Sequence, residues 1–586
     1  MVEPGRSVTI SGAAGAWGDS SLSTAQLLSD GRSDYMIYEG LAEITMAILS
    51  RAAAKDPSMG YATDLIEVIA SNLDGFISSG VRVVTNAGGV NPGAAARRIR
   101  EAADVAGLSV SVAVVTGDDL TRTRHDRDRA LSVNAYLGAR PISAALGAGA
   151  DVVVTGRVAD SALVLGPLLH EFGWDEPDLL SAGSLAGHLL ECGPQSTGGL
   201  LTDWEDTVSW VNPGYPIAEV SRDGTFILTA SADSDAIVDE RTVTEQLLYE
   251  IGDPAAYVLP DVVCDWREVT VESLGENRAL ISGARGRPPT PTLKACAQLV
   301  DGWRVQSLLF VGGRDAVAKA ERAGRDLIER GRRLLAAAGF SDFESTSVEV
   351  LGGEATYGPH SRATGAREVI LKIGARHESR EALARFVREI PSLGLGGPPG
   401  VTGGGAGLPS PSPLIQLDCF LVPRDEVTAR VEVDDVDVEF AALTAGIPLS
   451  VRERVAQVEG PLTLGETVEG PLIWIAHGRS GDKGADVNIG IRARHADFLP
   501  VLRSQLTGDV VAAWLAHLDA ISVVRYELPG VQAFNFVLEG GLGAGGTASL
   551  RFDPQGKAIA QQLLDMPISI PVELINHPAV RRPLSR

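Results

Sequence analysis

The sequence is poor in cysteine and contains no long apolar run. Its four cysteines are far apart and form no Cys-x-x-Cys pair, so we expect reduced thiols in a cytosolic protein, most of them filling core positions. No stretch of about 18 uncharged apolar residues occurs, and the N-terminus has no basic segment followed by an apolar one. These absences disfavour secretion and membrane spanning and predict a cytoplasmic protein.

Positive charge is also scarce. The chain has 51 Lys and Arg against 75 Asp and Glu, a formal charge of -24 and a pI near 4.8. Such a field repels nucleic acid unless a local basic patch overcomes it, so we expect a small-molecule partner and neither nucleic acid nor membrane. The 586 residues, 45% of them apolar, predict two to four domains with large cores. Length and apolar edge strands favour a homo-oligomer.

The first half of the chain alternates short β-branched runs with longer helical patterns. The run at 151–155 is wholly apolar in its middle, as in a strand buried on both faces. This rhythm predicts an α/β fold, with a mostly parallel sheet covered by helices on both sides. The predicted strands are 8–10, 35–38, 81–85, 108–116 and 151–155, with helices from about residue 22 and over 41–53.

From about residue 215 the pattern becomes mixed α+β, and the core could be subdivided there. The predicted strands of this section are 225–229, 258–263, 268–271, 305–311, 368–373 and 414–422, and the predicted helices are 315–338 and 377–390. The segment 392–413 is too rich in Gly and Pro for a helix or a central strand. A loop or lid within a domain and a linker are equal alternatives for it. The clearer boundary is 458–469, before a compact C-terminal section.

The most polar segment is 474–490, where a His, two cations, two carboxylates and an Asn lie among glycines. We interpret it as a strand-loop-strand unit whose loop holds a small polar ligand. His477 is a candidate acid/base, with Arg479 or Lys483 holding an anion, and an internal ion-pair cluster that stabilises the loop is the competing interpretation. The pattern fits neither a Gly-x-Ser-x-Gly elbow nor a phosphate-binding P-loop. Ser480 and Asp482 complete the candidate ligand-binding set of this segment.

Three further turns each follow a predicted strand and precede a helix. In a parallel sheet the carboxyl ends of strands form the usual ligand-binding edge, and a helix start favours an anion. Asp19 could instead cap its helix, and Arg157 could pair with Asp160 as a surface bridge. The candidate ligand-binding residues of these turns are Gly15, Asp19, Asn86, Gly88, Gly89, Asn91, Arg157 and Asp160.

Glu39 and Glu43 are four residues apart after the second predicted strand. A helix through both would present their carboxylates on one face. Such a pair suits acid/base chemistry or metal ligation, although an ordinary solvated helix face is the competing interpretation. The sequence contains no strong metal-binding motif, so we assign no metal ligand.

Several of these segments together resemble the acyclic terpene utilisation (AtuA) family. The resemblance implies an AtuA core over about 1–455 and a small α+β ferredoxin-fold domain over 470–586. It associates the chain with the catabolism of acyclic terpenes through branched acyl-CoA thioesters, but it transfers no catalytic residue. The matching stretches are Gly-Ala-Ala-Gly-Ala-Trp-Gly-Asp (12–19), Leu-Ala-Glu-Ile-Thr-Met (41–46), Lys-Asp-Pro-Ser-Met-Gly-Tyr (55–61), Thr-Asn-Ala-Gly-Gly-Val-Asn-Pro (85–92), Thr-Gly-Arg-Val-Ala-Asp-Ser (155–161) and His-Gly-Arg-Ser-Gly-Asp-Lys-Gly (477–484).

The hypothesis from the sequence is an enzyme that acts on a small carboxylate or an acyl-CoA thioester, by hydration, dehydration or carbon–carbon cleavage. His477 or one of Glu39 and Glu43 is the predicted acid/base, and the Gly/Asn turns would hold an oxyanion or phosphate. No cofactor is assigned, and coenzyme A enters only as part of the substrate. A non-catalytic binding or scaffold subunit and a metal-dependent enzyme are the alternatives.

Overall fold

The computed structural model of the protein describes residues 6–124, 130–363, 365–403, 407–449, 465–546 and 548–582. The strands of the first half are β1 (Ser7–Gly15), β2 (Tyr35–Glu39), β3 (Arg82–Thr85), β4 (Val112–Thr116), β5 (Ala130–Ala135), β6 (Val152–Thr155), β7 (Pro216–Ser221) and β8 (Phe226–Ala230). The helices of the same part are α1 (Leu22–Asp30), α2 (Glu43–Lys55), α3 (Thr63–Ser71), α4 (Leu73–Ser79), α5 (Pro92–Ala106), α6 (Arg140–Gly147), α7 (Ala162–Phe172), α8 (Pro177–Leu190) and α9 (Glu240–Leu247).

The second half continues in the same mixed style. Its strands are β9 (Tyr257–Val258), β10 (Val263–Asp265), β11 (Thr270–Gly275), β12 (Arg278–Ser282), β13 (Arg285–Arg287), β14 (Thr292–Gly312), β15 (Ser345–Leu351), β16 (Glu368–His377), β17 (Val401–Gly403), β18 (Ser412–Pro423), β19 (Arg430–Val433), β20 (Val436–Asp437), β21 (Thr467–Pro471), β22 (Ala476–Lys483), β23 (Asp486–Ala493), β24 (Ser522–Leu528), β25 (Ala533–Glu539) and β26 (Pro567–Pro571). Its helices are α10 (Ala316–Ala337), α11 (Arg380–Val387), α12 (Leu393–Gly396), α13 (Leu499–Gln505), α14 (Gly508–Trp514) and α15 (Ile559–Leu564).

The central sheet has a parallel core, as the sequence predicts. Five neighbouring strands, in the order β1-β2-β3-β6-β4, run parallel to one another. Antiparallel strands extend the sheet on both sides, β7, β8, β12 and β11 beyond β1 and β19 and β20 beyond β4. The chain near residue 215 enters β7, which pairs with β1. The subdivision at that point stays a prediction.

Helices cover both faces of the parallel strands. Successive side chains of a strand point to opposite faces of the sheet, and in these strands the side chains on both faces are apolar. Val153 belongs to the apolar cluster that includes residues of α6, α7 and α8, whereas its neighbours Val152 and Val154 belong to the cluster that includes residues of α1, α3, α4 and α5. All three are buried. This double burial explains why the strand sequences are continuously hydrophobic rather than alternating.

A second sheet is built around the long strand β14. The C-terminal half of β14 pairs with β16 and β17 and lies under α10 and α11, and its N-terminal half pairs with β5 and β18. The pairing of β14 with β18 places Cys296 opposite Cys419, and the two form a disulfide. The expectation that all cysteines are reduced is therefore wrong for this pair, whereas Cys192 and Cys264 are free.

The C-terminal section forms a separate four-stranded antiparallel sheet in the order β22-β23-β25-β24. One face of this sheet packs against α13, α14 and α15 around a core of its own. The opposite face, which carries Asn488, Gly490 and Asn535, packs against residues 248–252 of the first half. The amide of Asn488 donates to Leu248 O at 2.7 Å. The section is therefore docked on the core through a polar sheet face.

Several local predictions need correction. The polar segment 477–483 is not a loop, because it forms most of β22 and pairs residue by residue with β23. Strand β1 continues to Gly15, so the first turn begins later than predicted. The expected strand 258–263 is two short strands that pair antiparallel. The segment 392–413 includes a short helix and an edge strand, and most of the predicted boundary 458–469 lies outside the described residues.

Candidate functional site

The carboxyl ends of the parallel strands bring the predicted turns to one edge of the central sheet. Glu39 ends β2, Asn86 follows β3, and Arg157 lies two residues beyond β6. These three strands are neighbours in the sheet. Asn86 donates to the Glu39 carboxylate at 3.0 Å, so the second turn contacts the Glu pair directly.

Glu39 is a buried carboxyl group with an abnormally high proton affinity. Burial, followed by the negative charge of Asp160, raises the pKa of Glu39 to about 8. Hydrogen bonds from Asn86 and from the Leu41 backbone N–H, the latter at 2.6 Å, lower this pKa in part. At neutral pH Glu39 is therefore mostly protonated and has a proton to give.

Glu43 has the opposite character. Burial opposes the ionisation of Glu43, but the charges of Lys294 and Arg157 outweigh it and hold the pKa of Glu43 below its usual range. Lys294 Nζ lies 3.1 Å from Glu43 Oε1, and the Tyr136 hydroxyl donates to the same oxygen at 2.9 Å. Glu43 is therefore ionised at neutral pH. It begins α2 and Glu39 ends β2, so the two are not on one helix face as predicted.

Arg157 lies beside both carboxyl groups. Its guanidinium donates to Leu41 O, lies 3.3 Å from Asp160 Oδ1 and stacks 4.1 Å from the centre of the Tyr136 ring. The charges of Asp160, Glu43 and Glu39 all raise the pKa of Arg157, against the effect of burial. The predicted pairing with Asp160 exists, but Arg157 is buried, so it is not a surface bridge.

The C-terminal domain contributes charged groups to the same cleft. Burial, followed by the charges of Glu250 and Glu43, raises the pKa of Asp482 to about 8. Burial raises the pKa of Glu250 to about 7, although Lys483 lowers it. The pKa of Glu191, in the core domain, is also raised by burial and by the charge of Asp160. Asp482, at the end of β22, is therefore close enough to Glu43 for the two charges to interact. We call Glu39, Glu43, Asp160, Glu191, Glu250 and Asp482 together the carboxylate cleft.

A cavity of about 780 Å³ lies between the first turn and β22. Predicted residues of both parts line it: Gly15 and Asp19 on one side, Arg479 and Ser480 on the other. Asp19 is engaged within its own turn, because it accepts hydrogen bonds from Gly15 N at 2.9 Å and from the Tyr215 hydroxyl at 2.7 Å. It does not cap α1.

The other residues of the predicted turns hold the backbone in place. A side chain on Gly88 would meet Thr155 O at 2.4 Å, and Gly89 has a φ of 55° in the left-handed region. Asn91 caps α5 by accepting from Ala94 N. Ser480 donates to Gly556 O at 2.6 Å and accepts from Ala560 N at 2.8 Å, which anchors α15.

His477 lies in a buried ion cluster that joins the C-terminal domain to the core. Its Nε2 is 3.1 Å from Asp203 Oδ2, and Arg494 grips the same carboxylate with bonds of 2.7 and 2.8 Å. Burial lowers the pKa of His477 to about 4, with Asp203 and Arg494 as the nearest charges. The geometry matches an internal ion-pair cluster. Lys483 is six residues further along β22, roughly 20 Å away at about 3.3 Å per residue.

Comparison with known protein families agrees with this two-part architecture. The model of the "Acyclic terpene utilisation family protein AtuA" matches residues 8–433, and that of the "AtuA ferredoxin-like domain" matches residues 470–569. The chain belongs to the AtuA family. No curated protein and no solved structure matches it. The match links this AtuA-family chain to acyclic terpene utilisation in general terms.

The sequence did not point to several groups of the candidate site. Tyr136 and Lys294 reach Glu43 from residues just after β5 and within β14, and Glu250 comes from the end of a helical turn after α9. Only Glu191 had a local signal, its spacing of three from His188. A single Tyr, Lys or Glu in a sequence forms no recognisable motif. These side chains come close to Glu43 only because strands from distant parts of the chain pair with one another.

Two further observations bear on metals and membranes. In the described part of the chain, His495, Asp497 and His577 are the one group of three whose ligand atoms lie within 4.8 Å of one another, and they lie outside the carboxylate cleft. None of the described helices combines the length and the apolar composition needed to cross a bilayer.

Proposed function

We propose that this AtuA-family protein is an acid/base enzyme that acts on a small carboxylate or a branched acyl-CoA thioester, adding or removing water or cleaving a carbon–carbon bond. The observation that carries the proposal is the contrast in surroundings: Glu39 is buried against Asn86 and the Leu41 backbone, whereas Glu43 is bonded to Lys294 and Tyr136. These surroundings raise the pKa of Glu39 and lower that of Glu43. Paired carboxyl groups whose environments separate their pKa values identify an acid and a base.

The pair suits hydration of an α,β-unsaturated acyl group. Ionised Glu43 takes a proton from water while the water oxygen bonds to the β-carbon, and protonated Glu39 gives its proton to the α-carbon. The carbon–carbon double bond becomes a single bond, and one water is added. Dehydration is the reverse. In cleavage of a β-hydroxyacyl group, Glu43 would take the hydroxyl proton, the Cα–Cβ bond would break, and Glu39 would protonate the carbon left behind.

Both routes place negative charge on the acyl oxygen in the transition state. Lys294 contacts Glu43, the charge of Arg157 acts on both carboxyl groups, and the charge of Lys483 acts on Asp160 from the C-terminal domain. Positioned cations beside the reacting group stabilise such charge. This arrangement supports an activity that needs both domains, because one of the three cations belongs to the C-terminal sheet.

The test is turnover of a panel of branched enoyl-CoA and β-hydroxyacyl-CoA thioesters, and of the matching free acids, by the full-length protein. We expect Glu43→Gln and Glu39→Gln to lower kcat by roughly 10²–10⁴-fold, the usual value of one acid or base. The exposed Glu329→Gln on α10 is the matched control and should have no effect. Wild-type turnover by both cleft variants would refute the proposal.

The same experiment distinguishes the enzyme from the alternative, a non-catalytic binding or scaffold subunit. That alternative gains if acyl-CoA or carboxylate raises the melting temperature while no panel member is converted. The CoA version is dropped if neither free CoA nor any acyl-CoA at about 1 mM shifts the melting temperature, because a ligand at 100 times its Kd stabilises by about 2.7 kcal/mol. The homo-oligomer and the cytoplasmic location stay predictions.

A further inference from the structure

The cavity beside the carboxylate cleft contains a buried cation, Arg479, for which the described residues provide no ion pair. Arg479 is 5% exposed and lines the cavity. Its guanidinium donates to Leu200 O at 3.3 Å and to the Gln195 side-chain oxygen, both neutral acceptors. Among the described residues, no carboxylate oxygen is paired with it. Because buried charges in proteins are normally paired, and a guanidinium has five N–H donors, Arg479 has donors to spare for a ligand.

The nearest acidic groups do not neutralise Arg479 fully. Burial raises the pKa of both Glu245 and Glu250 to about 7, so each is part-protonated at neutral pH. Glu245 is also occupied, because both its oxygens accept from Thr202 N. A second cation, Lys557, lines the same cavity, donates to the Tyr249 hydroxyl and lies 3.6 Å from Glu250. Two cations, Arg479 and Lys557, therefore line the cavity against one carboxylate, Asp19, which is held by hydrogen bonds from Gly15 and Tyr215.

The mouth of the cavity is apolar and aromatic. Trp204 and Trp210 line it with 55% and 64% of their surface exposed, and their ring centres are 6.1 Å apart. Leu200, also largely exposed, and Trp17 line the same cavity. Large aromatic rings that are exposed together at a cavity mouth are typical of a binding site. An apolar chain in the cavity would cover them.

We infer that this cavity binds an organic anion, with its carboxylate or phosphate oxygens on Arg479 and its apolar chain against Trp204 and Trp210. Arg479 and Lys557 select the negatively charged head, and the tryptophans select the apolar part. The inference deepens the proposed function. The view that the bound anion is a substrate rests on that function, whereas binding of the anion does not depend on the chemistry of the cleft.

The test is a titration followed by intrinsic tryptophan fluorescence, because two tryptophans lie at the mouth. The probes are octanoate, its neutral analogue octanamide, octanoyl-CoA, free CoA and inorganic phosphate. We expect octanoate to change the fluorescence and octanamide to bind at least tenfold more weakly, as a charge-assisted hydrogen bond contributes about 1.5–3 kcal/mol. Free CoA or phosphate that competes with octanoate would assign the head-group site to phosphate as well.

Variants of Arg479 test whether this side chain recognises the anion. Arg479→Met should weaken octanoate binding at least tenfold, and Arg479→Lys should weaken it less while keeping the buried charge, which separates recognition from misfolding. The exposed Arg333→Met on α10 is the matched control. Equal affinity for octanoate and octanamide, unchanged binding by both Arg479 variants, or no response to any probe at millimolar concentration would overturn the inference.

Glu43→Gln distinguishes this inference from the proposed function. Octanoate binding that survives Glu43→Gln, together with absent turnover in every protein, supports the anion site and refutes the catalytic proposal. Turnover that depends on Glu43, with unchanged octanoate binding by the Arg479 variants, supports the catalytic proposal and refutes the anion site.

Discussion

Removal of the Asp203 carboxylate should loosen the junction between the two domains. Asp203 belongs to the core and is 3% exposed, yet most of its partners come from the C-terminal part of the chain. Arg494 grips both of its oxygens, and His477 and Arg581 each lie 3.1 Å from Oδ2. The change we consider is Asp203→Ala, which keeps the backbone and removes only the acceptor of these contacts.

The size of the effect follows from what the change leaves behind. Arg494 is 5% exposed at its side chain and would have no carboxylate within the cluster that could replace Asp203 at bidentate distance. Breaking a buried pair by removal of one partner costs about 3–5 kcal/mol, since an uncompensated charge remains in the interior. His477 would lose its hydrogen-bond acceptor as well, at about 1 kcal/mol. We therefore expect a loss of roughly 4–6 kcal/mol in all, felt first at the docked face of the C-terminal sheet.

Hydrogen–deuterium exchange is the suitable assay, because a chain of this length need not unfold in a single transition. Peptides that cover β22 should exchange about 100-fold faster or more in Asp203→Ala, whereas peptides of β14 should be unchanged. Glu205→Ala is the control, since Glu205 is exposed and 3.9 Å from Arg581, and exposed pairs contribute about 0–1 kcal/mol.

Equal exchange at β22 in Asp203→Ala and in the wild type would refute the reasoning. It would mean that the polar sheet face, with Asn488 and Asn535 against residues 248–252, holds the domain without help from the ion cluster. Faster exchange in β14 to the same extent would instead show a global loss of stability, which the local argument does not predict.

Two further predictions concern protonation and redox state. Because the acid Glu39 has a pKa of about 8 and the base Glu43 one below its usual range, kcat/KM should stay level through neutral pH and fall as pH rises through about 8, when Glu39 loses its proton. Glu39→Gln should abolish this alkaline limb and Asp482→Asn should not; the reverse result would move the acid role to Asp482. Alkylation of the unfolded, unreduced protein followed by mass spectrometry should modify Cys192 and Cys264 only, since Cys296 and Cys419 are bonded, and modification of all four cysteines would contradict the disulfide.

The arrangement of the parallel strands was predictable because it depends on local sequence. Runs such as Val152–Thr155 are apolar at every position, which is the requirement of a strand covered on both faces. The turns after β2, β3 and β6 then had to lie at one edge, and Glu39, Asn86 and Arg157 with them. The lengths of several elements were close for the same reason, as with α10, predicted at 315–338 and found at Ala316–Ala337.

The strand β22 was not predictable in this way. Gly478, Arg479, Gly481 and Asp482 have little preference for a strand, and their density of polar groups resembles a ligand-binding loop. What makes them a strand is pairing with β23, and what explains their alternation is that one face packs on α15 while the other docks on the core. The strand pairing and the packing of the two faces are both contacts with residues outside the segment, so the segment alone does not reveal them.

The sequence by itself therefore determined the two-part organisation, the parallel sheet and the edge at which Glu39 and Arg157 lie, because hydrophobic period and strand direction are local properties. Only the tertiary structure decided that Lys294, Arg157 and Tyr136 lower the pKa of Glu43, that Cys296 meets Cys419 and that His477 joins an ion cluster. Each of these depends on the register between distant segments and on burial. Those are the quantities that set a carboxyl group's charge, and no single segment encodes them.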